Sequence, residues 1–395
     1  MLKGVKVLDL SRVIAGPYCS RILSDLGAEV IKVESPGGDA FRSAVPQKQG
    51  FSSLFTQYNV GKKSVCIDLR KDEGVQLLHR LAAECDVFLE NFRAGLAASI
   101  GAGYEDIKAV NPSIIYCSIS GFGQDSPDAG KPAYTDIIQA MSGLDHAASQ
   151  MFGNDSGTPP GFPASLADTY TSQQAAIAIL ASLFRRQQSI EGEFIDISML
   201  DCMISANDST LQRHLFSDGE LQGPSPIFRP PLRLKDGFLS ASIGLNFEKT
   251  VKAIGLDELM KDDLFRTQEL RRENMVHYID IVSAWAADKT VAEVVALFDA
   301  HDIPYGEVRS PKEVIEARST SDRDLIVDVE LNNGTDIPVL NTPFNFASGK
   351  TRPTGPPPAL GEHSEQVLSS LLNLSSLEIE ELVANKIIFK QELNL

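Results

Sequence analysis

The sequence predicts an α/β protein, with a doubly wound parallel sheet in a large domain followed by a smaller α/β domain. Short apolar runs alternate with stretches of helical apolar spacing over the first half of the chain, the order that builds a parallel sheet with crossover helices. Four prolines, Pro224, Pro226, Pro230 and Pro231, then break the alternation and mark a connecting segment. With 395 residues, 43% of them hydrophobic, the chain also exceeds what one compact core usually holds.

Val5 to Leu10 reads as a strand, Pro17 to Asp25 as a helix opened by proline, and Ala28 to Glu34 as a second strand, which together make a βαβ unit. A helix near Glu73 to Ala83, strands at Val87 to Glu90 and Ile114 to Ser118, and a helix around Thr135 to Met141 continue the alternation. From Gln174 to Phe184 the residues Ala176, Ile179, Leu180, Leu183 and Phe184 follow helical spacing, with Ser165, Asp168 and Thr169 ahead of them as start signals. Glu193 to Ser198 reads as a strand and Leu200 to Phe216 as one helix. Beyond the prolines, a strand near Phe238 to Ile243 and helices around Phe247 to Ile254, Tyr278 to Ala287 and Val291 to Ala300 belong to the second domain.

Composition excludes several functions. Fifty-three acidic against 36 basic side chains give a formal charge of -17, which repels nucleic acid and anionic membranes, so an anionic ligand needs a local basic pocket. Five cysteines without a CxxC pair suit a reducing cytosol. With no secretion signal and no apolar run of about 18 residues, the expectation is a cytoplasmic protein. The histidines show no HxxxH or HxH pairing, so no metal site is expected, and GxSxG is missing. Glu34 ends the second strand where a ribose-binding carboxylate often sits, but Ala15-Gly16-Pro17 replaces GxGxxG, which argues against a dinucleotide and for a structural carboxylate.

Asp168 stands where an apolar, small-residue-rich helix begins. The helix N-terminus favours its ionised form, and an ionised carboxylate can attack an activated acyl group; an ordinary helix cap is the competing reading. Lys62, Lys63, Arg70 and Lys71 cluster around two loops where they could meet phosphates, and Arg93 beside Phe92 follows a strand end, where open α/β sheets bind ligands.

Several segments, in order, resemble the family III CoA-transferases (the CaiB/BaiF, formyl-CoA transferase-like family). They are Val7-Leu8-Asp9-Leu10-Ser11 with Ala15-Gly16-Pro17, Leu26 to Glu34, Asn59 to Ser64, Glu90-Asn91-Phe92-Arg93, Ser118 to Gly123, Ala140 to Gly143, Ile303 to Gly306 and Leu360-Gly361-Glu362-His363. The resemblance covers essentially the full chain. It implies a Rossmann-like large domain over residues 1-205, a linker at 206-230, a small domain at 231-325 and a return segment at 326-395 that completes the large domain, with two chains interlocked as a homodimer. It implies that Asp168, after Leu166-Ala167, is the nucleophile. It places CoA contacts at Ile14 and Ala15, at Ile67, Leu69 and Arg70, at Asn91, Phe92 and Arg93, and at Lys131 and Tyr134, with Arg70, Arg93 and Lys131 facing the phosphates. Acyl-CoA and a small carboxylic acid are the implied substrates, with no permanently bound cofactor.

Two rival readings remain. An α-methylacyl-CoA racemase of the same fold would need a His-Asp pair at Tyr134-Thr135, and tyrosine, with a pKa of about 10, stays protonated at neutral pH. A non-catalytic CoA-binding subunit would bind without exchange. The site-covering glycine-rich loop of formyl-CoA transferase has no counterpart in Leu239 to Asn246, and a further arginine of that enzyme aligns near Ser99. Arg229 and Arg233 are candidates for selecting an acceptor carboxylate.

Overall fold

The computed structural model describes residues 1–152, 159, 161–217 and 230–390. Most of the proline-rich connection, with Arg229, lies outside the described residues. The chain forms two compact units: Met1–Leu144, Gly161–Asp208 and Ser319–Leu395 make the first, Asp145–Pro160 and Ser209–Arg318 the second.

The first unit is built on six parallel strands: β1 (Lys6–Asp9), β2 (Glu29–Glu34), β3 (Lys63–Ile67), β4 (Val87–Glu90), β5 (Ile115–Ser120) and β6 (Glu193–Ser198). They lie in the order β3-β2-β1-β4-β5-β6, with a short strand, Ile388–Phe389, antiparallel on the outer edge of β3. Val7 stands opposite Val30 on one side and Val87 on the other. This is the doubly wound order, and its direction reverses between β1 and β4; ligands of such sheets bind beyond the carboxyl ends of the strands at that reversal.

Both faces of the sheet are covered. Val7, Leu89 and Cys117 point into one apolar cluster with Ile22 of helix α1 (Ala15–Asp25), while Leu8, Phe88 and Tyr116 point into another with Leu78 and Leu81 of helix α2 (Asp72–Ala83). The period-2 alternation of strand side chains makes that division, and each fully buried Leu, Ile or Phe contributes about 1.5–3 kcal/mol. Two further helices frame the site, α3 (Thr135–Met141) and α4 (Leu166–Ser189).

Two local readings differ from the structure. β3 begins at Lys63, inside the Asn59–Ser64 segment whose lysines read as loop charges; Lys63 pairs with Glu29 at 2.7 Å, and the Lys62 side chain just before the strand is wholly buried. The stretch Leu200 to Phe216 is not one helix but two, Met199–Ala206 and Asp208–Phe216, parted at Asn207, whose side-chain amide donates to the Ser142 carbonyl at 3.2 Å. The C-terminal part returns to β3: His363 donates its backbone N–H to the Ser64 carbonyl at 2.9 Å. Gly361 turns there with φ +69°, and any side chain on it would collide with the Phe389 carbonyl.

The second unit has a three-stranded antiparallel sheet, Leu232–Arg233, Phe238–Ala241 and Tyr305–Glu307, and helices that include Phe247–Ala253, Met275–Ala286 and Val291–Ala300. Leu239, Phe247, Phe265, Tyr278 and Phe298 form its core. Among the described residues no helix is long and apolar enough to cross a membrane.

Candidate active site

The loop after β1 is fixed from below by buried charge. Asp9 accepts from Lys62 at 3.0 Å, from Ser20 at 2.5 Å and from the Ser11 hydroxyl. Burial alone would raise its pKa, but Lys62, Lys32 and the two serines outweigh burial and hold it at about 2. The Lys62 ammonium also donates to the Pro17 carbonyl and to Asn59 Oδ1, each at 2.9 Å, and burial brings its pKa down to about 8. Lys62 is therefore a structural cation, not a phosphate ligand. Lys32 donates to the Ser11 carbonyl at 2.8 Å, and Asp39 accepts the Val13 N–H at 3.1 Å. These bonds hold Val13 at φ 71°, a costly conformation for a β-branched residue. Glu34 is structural too, accepting from Arg42 at 2.6 Å and Ser64 at 2.7 Å.

The loops after β1 and β4 are clasped across the reversal of the sheet. Asn91 Oδ1 accepts the Arg12 backbone N–H and Asn91 Nδ2 donates to the Arg12 carbonyl, both at 2.8 Å, while the Arg12 guanidinium lies 5.5 Å from the centre of the Phe92 ring. Gly16 sits against this clasp, where a side chain would collide with Ser11. Glu90, buried at the end of β4, accepts the Phe92 N–H at 2.7 Å and is pushed up to about 7 by burial. A cleft of about 1120 Å³ opens over the carboxyl ends of β1, β2 and β3, lined among others by Arg12, Lys32, Leu69, Arg70 and Phe92. That volume suits a cofactor-sized molecule.

Asp168 occupies the third position of α4 and is half-buried. The Ser172 hydroxyl, one turn on, bonds the Asp168 carbonyl at 2.7 Å and the Ala15 carbonyl at 2.6 Å, which ties the first turn of α4 to the start of α1. The hydroxyl of Thr135, at the start of α3, is buried with no hydrogen-bond partner in the structure and stands near enough to Asp168 to lower its pKa. Burial raises the Asp168 pKa to about 6, and Thr135 offsets only part of the rise. The helix start does not keep this carboxylate at low pKa, as the sequence reading expected; burial prevails. Near neutral pH it is still mostly ionised, and a carboxylate of raised pKa is the better nucleophile. Tyr58 stands close enough for the Asp168 charge to add to the rise of its own pKa, which burial dominates, and its ring meets Tyr18 edge-on at 5.7 Å.

The structure gathers only part of the residue set carried by the resemblance. Leu69, Arg70 and Phe92 line the cleft. Asn91 spends its side chain on the Arg12 backbone, and the Ala15 carbonyl is taken by Ser172. Ile14 is buried, and Ile67 is wholly buried in the core. Arg93 and Lys131 are exposed outside the cleft lining, Lys131 pairing with Asp128 at 2.6 Å, and Tyr134 is 65% exposed. Sequence reasoning missed Arg12 and Thr135. Arg12 lies between the Val7–Ser11 and Ala15–Pro17 segments that carry the resemblance, and its backbone is held by Asn91, 79 positions away. Among the described residues no group of acids, histidines and cysteines could hold a metal ion.

Comparison with known proteins agrees with this architecture. The family model for CoA-transferase family III matches residues 2–364. The mouse (Mus musculus) protein named succinyl-CoA:glutarate CoA-transferase is 35% identical, over 99% of this chain and 91% of its own length. The Agrobacterium fabrum succinate–glutarate CoA-transferase is 32% identical, over 94% and 95%. The Chloroflexus aurantiacus succinyl-CoA–D-citramalate CoA-transferase is 30% identical, over 98% of each. Among solved structures, a CaiB/BaiF family protein from Brucella suis superposes with a TM-score of 0.79 at 31% identity, covering 93% of this chain and 98% of that one.

Proposed function

The chain belongs to CoA-transferase family III, and from that premise we propose that it moves CoA from succinyl-CoA to a short dicarboxylic acid, with Asp168 as the covalent nucleophile. CoA lies in the cleft over β1–β3, its thioester end directed to Asp168. The donor follows from relatives named for succinyl-CoA, and the acceptor class from glutarate and citramalate in the names of those relatives.

The Asp168 carboxylate attacks the thioester carbonyl, the C–S bond breaks, and an aspartyl-acyl anhydride and CoA thiolate result. The thiolate attacks the aspartyl carbonyl, releasing the donor acid and leaving an aspartyl-CoA thioester. The acceptor carboxylate attacks that thioester to form a second anhydride and free the thiolate again. Attack of the thiolate on the acceptor carbonyl gives the new acyl-CoA and restores Asp168. No proton is consumed and thioester energy is retained, so the cycle calls for no ATP. The observation that carries this reading is a half-buried aspartate on the first turn of α4, raised to about 6 with a neutral hydroxyl near it. Tyr134 and Thr135 stand where a racemase would have His-Asp, so neither the imidazole nor the carboxylate of that pair is present at those positions.

Mass spectrometry of mixtures of succinyl-CoA with glutarate, citramalate, malate, acetate and formate tests it. New acyl-CoA from the dicarboxylates is the expected result. No exchange with any acid, together with deuterium uptake at an acyl α-carbon, would overturn it in favour of racemisation.

A further inference from the structure

A protein of formal charge -17 that binds CoA must gather positive charge locally, because CoA carries a 3′-phosphate and a pyrophosphate. Most cations of the cleft are already spent. Lys32 is buried, donates to the Ser11 carbonyl at 2.8 Å and sits 3.2 Å from Asp39. Arg70 is exposed, but Asp68 engages its guanidinium twice, at 2.8 and 2.7 Å, so the pair presents no net charge. Arg12 lines the same cleft, is exposed, and has no carboxylate partner among the described residues. The Phe92 ring lies beneath its guanidinium, and Asn91 grips its backbone from both sides. A planar fork held this way loses little freedom on taking a phosphate.

We propose that Arg12 is the phosphate-binding residue of the cleft, taking a phosphate group of CoA on its guanidinium, and that Asn91 is the residue that positions it. This rests on the cleft being the CoA site.

Calorimetric titration of the full chain with CoA, paired with exchange kinetics on acyl-CoA and on acyl-pantetheine, which lacks those phosphates, tests the proposal. Arg12→Gln should weaken CoA binding roughly ten- to a hundredfold and raise KM for acyl-CoA at nearly constant kcat, leaving the acyl-pantetheine reaction unchanged. Arg12→Lys should keep part of the affinity. Asn91→Ala should weaken CoA binding less, and add little in the Arg12→Gln background. Wild-type affinity in Arg12→Gln, or an equal loss with acyl-pantetheine, overturns the assignment. Absence of CoA binding by the wild-type chain overturns the reading of the cleft itself.

Discussion

Asp9 and Asp168 are two aspartates of one compact unit, both drawn out of water, and their carboxyl groups move in opposite directions. Asp9 meets Lys62, Lys32 and two serine hydroxyls and is held at about 2; Asp168 meets one threonine hydroxyl and rises to about 6. Desolvation acts on both, so the difference lies in the partners. It has a counterpart in stability. Asp9, with its folded pKa below the ordinary 3.8, contributes stability that is present above that value and lost as pH falls toward 2. Asp168, raised above 3.8, binds its proton more readily folded than unfolded, so its contribution to stability diminishes as pH rises from about 4 to 6. The first carboxylate holds a loop in place. The second, with no cation among the groups that shift it, is the one we propose as the nucleophile.

The contrast is broken most directly at Asp168. Asp168→Asn should lower CoA exchange by roughly 10³-fold or more while leaving the melting temperature at pH 7 equal or higher, since a buried charge is removed. Wild-type exchange in that variant would end the distinction. Asp9→Asn should do the reverse and destabilise the chain by roughly 3–5 kcal/mol in urea unfolding, because Lys62 is left buried without its counter-charge. A loss within experimental error would mean that the loop does not depend on the pair. The finest test is the acid limb of kcat/KM, expected near pH 6, where protonation would silence the proposed nucleophile. Thr135→Val should carry that limb upward by less than about one pH unit, and Thr135→Ser should return it. A limb near pH 4 would mark Asp168 as an ordinary solvated carboxylate.

Much of the fold was legible because its signals are local. Val87–Glu90, Glu193–Ser198, Thr135–Met141 and Val291–Ala300 occupy the spans that apolar spacing predicts. The start of β3 was not, since burying Lys62 makes sense only once Asp9, 53 positions away, is known to receive it. The site divides the same way. Asp168 becomes a candidate only when its place at a helix start is joined to the family resemblance, whereas the direction of its pKa depends on what covers it. Arg12 carries no signal of its own in the sequence, because Asn91 and Phe92 come beside it only in the fold.

The strand Ile388–Phe389, which closes the outer edge of β3, gives this chain a particular biosynthetic problem. During translation, residues 63–67 leave the ribosome more than 300 residues before the segment that pairs with Ile67, so β3 waits with an unpaired row of peptide groups while the second unit is made. An open parallel edge of this kind recruits other strands. Until residue 388 arrives, that edge stays open to pairing with any strand that reaches it.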